Sequence, residues 1–171
     1  MRLLIKNGHV VDPANQRDEI LDILIENNQI SKVAKNISEE AEEIIEARDK
    51  IVMPGIIDMH VHLREPGRED KETIASGTKA ALKGGVTSVL AMPNTLPAID
   101  SVDNIRLLKD IIKKTAHANV FIAGSITKGR QGKEKVHNRR LPLSEFPTAR
   151  RAWENLYHCG HLCEVLEAAR I

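Results

Sequence analysis

Cysteine is almost missing from this chain: Cys159 and Cys163, four residues apart near the carboxyl end, are the only two, so no disulfide framework staples the fold. Long apolar runs are missing as well. Leu3-Leu4-Ile5 is stopped by Lys6, and no stretch approaches the roughly 20 apolar residues a bilayer span needs. The expectation is a cytoplasmic protein with no membrane segment. Neither sign of charge dominates, since the formal net charge is +1 with both signs interspersed. That balance argues against a nucleic-acid footprint or an anionic membrane surface, and favours a small neutral or acidic substrate. Aromatic residues make up only 2%, and the single Trp153 and Tyr157 both lie near the carboxyl end. Aspartate does not occur after Asp110.

What is present suffices for one sizeable core with a small satellite: 171 residues, 42% of them hydrophobic. Residues 1–52 read as short strands, Arg2 to Lys6, Val10-Val11, Ile20 to Glu26 and Gln29 to Ala34. Turn chemistry at Asn7-Gly8, Asp12-Pro13 and Asn27-Asn28 separates them, which predicts a small antiparallel β unit, part of a β-sandwich. Met53-Pro54-Gly55 breaks the chain, and from there to residue 134 strands alternate with helices, the pattern of βαβ units and a parallel sheet. The expected order is a strand at Ile56 to Val61, a helix at Glu69 to Lys83 stopped by Gly84-Gly85, and a strand at Val86 to Ala91. A helix at Asp103 to Thr115 follows, capped by Ser101 or Asp103, then a strand at Asn119 to Ala123. Three βα-type units are visible, an α/β fold.

Residues 135–171 differ from the rest. Lysine outnumbers arginine before Lys135, whereas after it every basic residue is arginine: Arg139, Arg140, Arg150, Arg151 and Arg170. The apolar positions there keep no clear period. This stretch reads as an aberrant, frameshifted tail. His158, Cys159, His161 and Cys163 within it have zinc-capable side chains, but zinc sites of that type draw on two separated ligand pairs, not one compact cluster.

The chemistry concentrates at Asp58-Met59-His60-Val61-His62-Leu63-Arg64-Glu65-Pro66-Gly67. On a strand, His60 and His62 leave the same face, together with Asp58 and Ile56, while Ile57, Met59 and Val61 take the other. Two histidines make half of a metal site, because zinc takes three or four protein ligands and catalytic sites keep one position for water. Asp58, one step deeper, is placed to orient an imidazole, as carboxylates commonly do behind ligating histidines. Arg64 lies just past the pair, where a planar guanidinium can take a substrate carboxylate through two parallel hydrogen bonds. Asn94, in Ala91-Met92-Pro93-Asn94-Thr95, emerges at the same end of the sheet with an amide that both donates and accepts.

These segments together resemble the dihydroorotases, cyclic amidohydrolases of pyrimidine synthesis, in the class that carries H-x-H-L-R-[DE]-P-G. The resemblance extends over Lys71-Glu72-Thr73-Ile74 with Ser76-Gly77, Gly84-Gly85-Val86-Thr87-Ser88-Val89, Met92-Pro93-Asn94-Thr95-Leu96-Pro97 and Gly124-Ser125-Ile126-Thr127-Lys128-Gly129-Arg130, and covers about residues 1–134. Hydantoinases and allantoinases share the two histidines but lack the arginine after His-Leu, so Arg64 and Asn94 favour dihydroorotase. The resemblance implies an amidohydrolase-type TIM (β/α)₈ barrel with a small β-sandwich, zinc held by His60 and His62, and reversible closure of N-carbamoyl-aspartate to dihydroorotate. Zinc-bound hydroxide would be the hydrolytic nucleophile, and Arg64 and Asn94 would hold the substrate carboxylate. Some members associate with aspartate transcarbamoylase, so a non-catalytic subunit of that kind is an alternative, another cyclic amidase is a second, and a homo-oligomer is left open.

The chain departs from the family where an Asp-Asp-Gly motif is expected and Ala152-Trp153-Glu154-Asn155 stands instead; the later histidine ligands and catalytic aspartate have no counterpart. Three of eight strands cannot close a barrel and leave open edges. The expectation is a truncated, incomplete barrel: marginal folding, weak metal binding, no catalytic residue of its own and no useful turnover by this polypeptide alone.

Overall fold

The computed structural model describes residues 1–136; the tail beyond them, including the His158 to Cys163 cluster, lies outside the described residues. The chain divides into two units after Pro54.

In the first unit, β1 (Arg2–Asp12) and β2 (Arg17–Glu26) pair antiparallel, and β3 (Gln29–Ala34) continues the meander. Asn27 and Asn28 both take positive φ, 52° and 61°, the mirror-image turn whose twist matches a two-residue hairpin. Where the sequence predicts a break at Asn7-Gly8, the structure keeps one strand with a bulge: the register against β2 shifts between Ile5 and Gly8. Asn7 adopts φ 60°, and its N–H, out of the ladder, donates to the Asp22 carboxylate at 2.8 Å. Asp22 is 3% exposed and also accepts from the Ile37 N–H at 2.9 Å. Without it the buried Ile37 N–H and the half-buried Asn7 N–H would lose their acceptor.

The unit is not purely antiparallel, as the sequence predicts, but mixed. After β3 the chain crosses the sheet, and β4 (Glu43–Glu46) and β5 (Ile51–Val52) join the other edge of β1 in parallel. The crossing is held by apolar contact: Ile37 is buried with Leu4 and Leu24, with Ala34 and Ala41 packed against them. A parallel return requires such a crossover, and turn residues alone do not reveal one.

The second unit is a parallel sheet in the order β6-β7-β8, formed by Ile56–Val61, Val86–Ala91 and Asn119–Ile122. Two helices connect the strands, α1 (Ile74–Lys83) and α2 (Val102–Thr115). Ile74 and Thr78 of α1, and Ile105 and Leu108 of α2, are the buried positions at helical spacing. Ile74, Ile105 and Leu108 meet Leu63, Val89, Ala91 and Ile99 in one core, with Val61, Val120 and Ile122 packed against it. The fold is α/β. Among the described residues no helix is long and apolar enough to cross a membrane.

Helix α1 starts at Ile74, five residues later than the sequence predicts. Thr73 is the cap: its Oγ1 accepts from the Ser76 N–H, and Ser76 Oγ accepts from the Thr73 N–H. The Glu65 carboxylate takes the Ile74 N–H at 2.7 Å, adding negative charge at the positive end of the helix. Helix α2 starts under Ser101, whose Oγ accepts from the Asn104 N–H, so Ser101 and not Asp103 is the cap.

Two outcomes follow from these contacts. Asp22→Ala removes the acceptor of one buried and one half-buried N–H group and should cost about 1–3 kcal/mol; hydrogen exchange should rise at the Asn7 and Ile37 amides first, and unchanged protection at both would contradict the assignment. Glu65→Ala should weaken the α1 terminus by about 1 kcal/mol, whereas Glu65→Gln, which still accepts, should recover much of the loss; exchange at the Ile74 amide reads both.

Candidate functional site

The site forms where the parallel strands end. Strand β6 stops at Val61 and β7 at Ala91, and the Met92 N–H still bonds the Val61 carbonyl at 2.9 Å, so the chain leaving β7 runs beside His62. Ligand sites of parallel α/β sheets gather at this carboxyl end.

One extra residue in β6 between Asp58 and Val61 breaks the ladder against β7. The Asp58 Oδ1 then takes the His60 backbone N–H at 3.0 Å. Asp58 therefore serves the bulge backbone, not an imidazole as the sequence predicts. Beyond the bulge, Val61 and Leu63 point into the core while His60 and His62 are exposed. Their rings meet edge to face, 68° between planes, with centroids 5.1 Å apart. The two Nε2 atoms face each other at 3.3 Å. Two nitrogens each about 2.0–2.1 Å from one tetrahedral zinc stand about 3.3–3.4 Å apart, so the spacing suits two ligands of one ion. No group of three His, Cys, Asp or Glu side chains with metal-binding geometry forms among the described residues.

Asn94 is half-buried, and its Oδ1 lies 2.7 Å from His62 Nδ1. It thus occupies the place behind an imidazole that the sequence reading gives to Asp58. Arg64 follows at once, with φ 64°, and the Glu65 N–H bonds the Leu63 carbonyl across it at 2.8 Å. That is a γ-turn of the strained, positive-φ kind, which a side-chain-bearing residue adopts only where its surroundings enforce it. The Arg64 guanidinium makes no hydrogen bond or ion pair with another described residue.

The enforcement comes from a junction between the two loops. The Leu96 N–H bonds the Pro66 carbonyl at 2.9 Å. Gly67, at φ 100°, passes so close that a Cβ there would stand 2.2 Å from the Leu96 carbonyl oxygen. Gly77 of α1 likewise leaves room for Leu63, whose Cδ2 would be 2.6 Å from an added Cβ. Farther along, Arg68 Nε donates to the Asp70 carboxylate at 2.9 Å; this bond and the guanidinium charge hold the Asp70 carboxyl below its ordinary value and Arg68 above its own. Sequence reasoning finds His60, His62, Arg64 and Asn94 but misses the parts of Glu65 and Gly67, because the contacts that define them join positions distant along the chain.

The sequence model described as Dihydro-orotase-like matches residues 49–142. The dihydroorotase of Elusimicrobium minutum is 59% identical over 134 residues, which is 78% of this chain and 31% of that protein. The chain thus spans about a third of the length of the curated relatives it matches. Among solved structures, an L-hydantoinase (dihydropyrimidinase) from Arthrobacter aurescens superposes with a TM-score of 0.68 at 24% identity, over 73% of this chain and 28% of that one. This likeness concerns the fold. A D-hydantoinase (dihydropyrimidinase) from Thermus sp. gives 0.61 at 30% identity, over 73% and 28% of the two chains. With the family's sequence model covering more than half of its residues, and the paired histidines, arginine and asparagine set at one end of a parallel sheet, the chain belongs to the Dihydro-orotase-like family.

Proposed function

We propose that this chain carries the amino-terminal part of a dihydroorotase active site, acting on the cyclic amide dihydroorotate and its open form, N-carbamoyl-L-aspartate. The carrying observation is the 3.3 Å approach of the His60 and His62 Nε2 atoms beside Arg64 and Asn94. In this reading β6 to β8 are the first three strands of an eight-stranded barrel, and His60 and His62 are two of several metal ligands, the rest coming from beyond the described residues. Zinc bound there supplies Lewis acidity and an acidified water.

The chain's own residues bind and orient. Arg64 is set in its strained turn with its charge uncommitted among the described residues, which suits a bidentate grip on the substrate carboxylate. Asn94, its oxygen turned to His62, offers Nδ2 as a donor to the same substrate. Together they fix which ring carbonyl faces the His60–His62 pair, so that part of the rate comes from orientation.

A second reading, a hydantoinase-type cyclic amidase, is favoured by the likeness to the two hydantoinase structures. Its substrates would not need the carboxylate that Arg64 suits, so the substrate separates the two. The test places this chain's matched segment in the Elusimicrobium minutum dihydroorotase in exchange for its counterpart. The chimera should hydrolyse dihydroorotate and leave hydantoin intact; a folded, zinc-loaded chimera that prefers hydantoin would establish the second reading, and one that turns over neither would sink both. Within the chimera, Arg64→Ala should lower kcat/KM for dihydroorotate about 10- to 100-fold, the loss of about 1.5–3 kcal/mol from hydrogen bonds to a charged group, mostly through KM. Unchanged kinetics would remove Arg64 from the site.

A further inference from the structure

His62 has its two ring nitrogens pointed at different partners: Nδ1 lies 2.7 Å from Asn94 Oδ1, and Nε2 lies 3.3 Å from His60 Nε2. A neutral imidazole carries one proton, so the two contacts are not independent. An amide oxygen can only accept; facing Nδ1, it requires the proton to be there. Nε2 is then left with its lone pair, and in the metal-free chain the His60 Nε2–H can donate to it. Each of these two ring N–H groups, on His62 and on His60, then has an acceptor. The reverse arrangement, with the Asn94 amide turned over and Nδ2 donating, would put the His62 proton on Nε2 and close that nitrogen to a metal.

We propose that Asn94 is a positioning residue that locks His62 in the Nδ1–H tautomer, so that its Nε2 lone pair is free for a metal beside His60 Nε2, and that the same bond leaves Nδ2 as the group Asn94 offers a substrate. Free histidine favours the other tautomer, so the bond works against an intrinsic preference and its removal is observable. Asn94 can perform this role because its loop is braced on both sides: the Ile99 N–H bonds the Pro93 carbonyl at 3.2 Å, Thr95 Oγ1 bonds the Pro97 carbonyl at 2.7 Å, and the Leu96 N–H bonds Pro66. A second consequence concerns substrate. With its oxygen turned to His62, Asn94 presents Nδ2 to a substrate, which favours a carboxylate or carbonyl oxygen at that position. The inference rests on the reading of His62 as a metal ligand, and asparagine here takes the part that outer carboxylates and carbonyls take behind other ligating histidines.

The experiment uses the whole 171-residue chain, metal-free and labelled with ¹⁵N-histidine, at a pH where imidazoles are neutral. Long-range ¹H–¹⁵N correlations report which ring nitrogen carries the proton, and the His62 signals are assigned by their loss in His62→Gln. Wild type should show His62 protonated on Nδ1. Asn94→Leu should move it toward the Nε2–H form, while Asn94→Asp, which still accepts, should keep Nδ1–H and shows that a shift in the leucine variant is not loss of fold. A wild-type His62 protonated on Nε2, or a tautomer indifferent to Asn94→Leu, would overturn the proposal. Zinc titration of the same samples should show affinity about 10- to 100-fold lower in Asn94→Leu than in wild type, with Asn94→Asp close to wild type. Zinc bound as tightly by His62→Gln as by wild type would overturn the metal reading and leave the positioning role of Asn94 standing.

Discussion

The hydrogen bond from the Leu96 N–H to the Pro66 carbonyl, and the glycine that permits it, hold the rest of the site in place. Two loops leave neighbouring parallel strands, and without a cross-tie each would carry its polar residues independently into solvent. Gly67 allows backbone to approach backbone at a distance where any Cβ would collide with the Leu96 carbonyl. Once the loops are joined, the Asn94 amide has a fixed relation to His62 and the strained turn at Arg64 has a counterweight. Strain of this kind persists only where surrounding contacts over-determine it. Here those contacts include the Glu65 carboxylate on the first N–H of α1 and Leu63 wedged against Gly77.

The core and the site are two faces of one short segment. Val61 and Leu63 are drawn into the apolar cluster under α1 and α2, and the alternation of an extended chain then obliges His60 and His62 to face away from it. Burial of two aliphatic side chains thereby aims two imidazoles. The bulge before them is accommodated by Asp58, which satisfies the backbone N–H that the broken ladder releases. A carboxylate that looks on paper like a partner for an imidazole is spent on backbone, and an uncharged amide from the next loop stands behind the ring instead.

Much of this was legible along the chain. Strand β7 and the end of α1 were marked by Gly84-Gly85, the hairpin between β2 and β3 by Asn27-Asn28, and the start of α2, to within two residues, by Ser101 and Asp103. Local signals sufficed because each of these features is determined within a turn or two of chain. The start of α1 was misplaced because the polar residues from Glu69 to Glu72 are compatible with a first helical turn, and only the reciprocal bonds of Thr73 and Ser76 end the loop there. The parallel pairing of β4 and β5 was illegible for a different reason: it depends on Ile37 finding Leu4 and Leu24 across the sheet.

By itself the sequence determined which residues could do chemistry: paired histidines on a strand, an arginine after them, an asparagine after the next strand, and an apolar pattern that requires a parallel sheet with helices on it. Family membership was legible in the same motifs, because they are short and contiguous. Tertiary structure alone decided which of these groups touch. That Asn94 and not Asp58 stands behind an imidazole, that Glu65 caps a helix, and that Gly67 is the point of closest approach all depend on distances between segments far apart in the chain. Spacing along a sequence constrains such distances only after the intervening helices have packed.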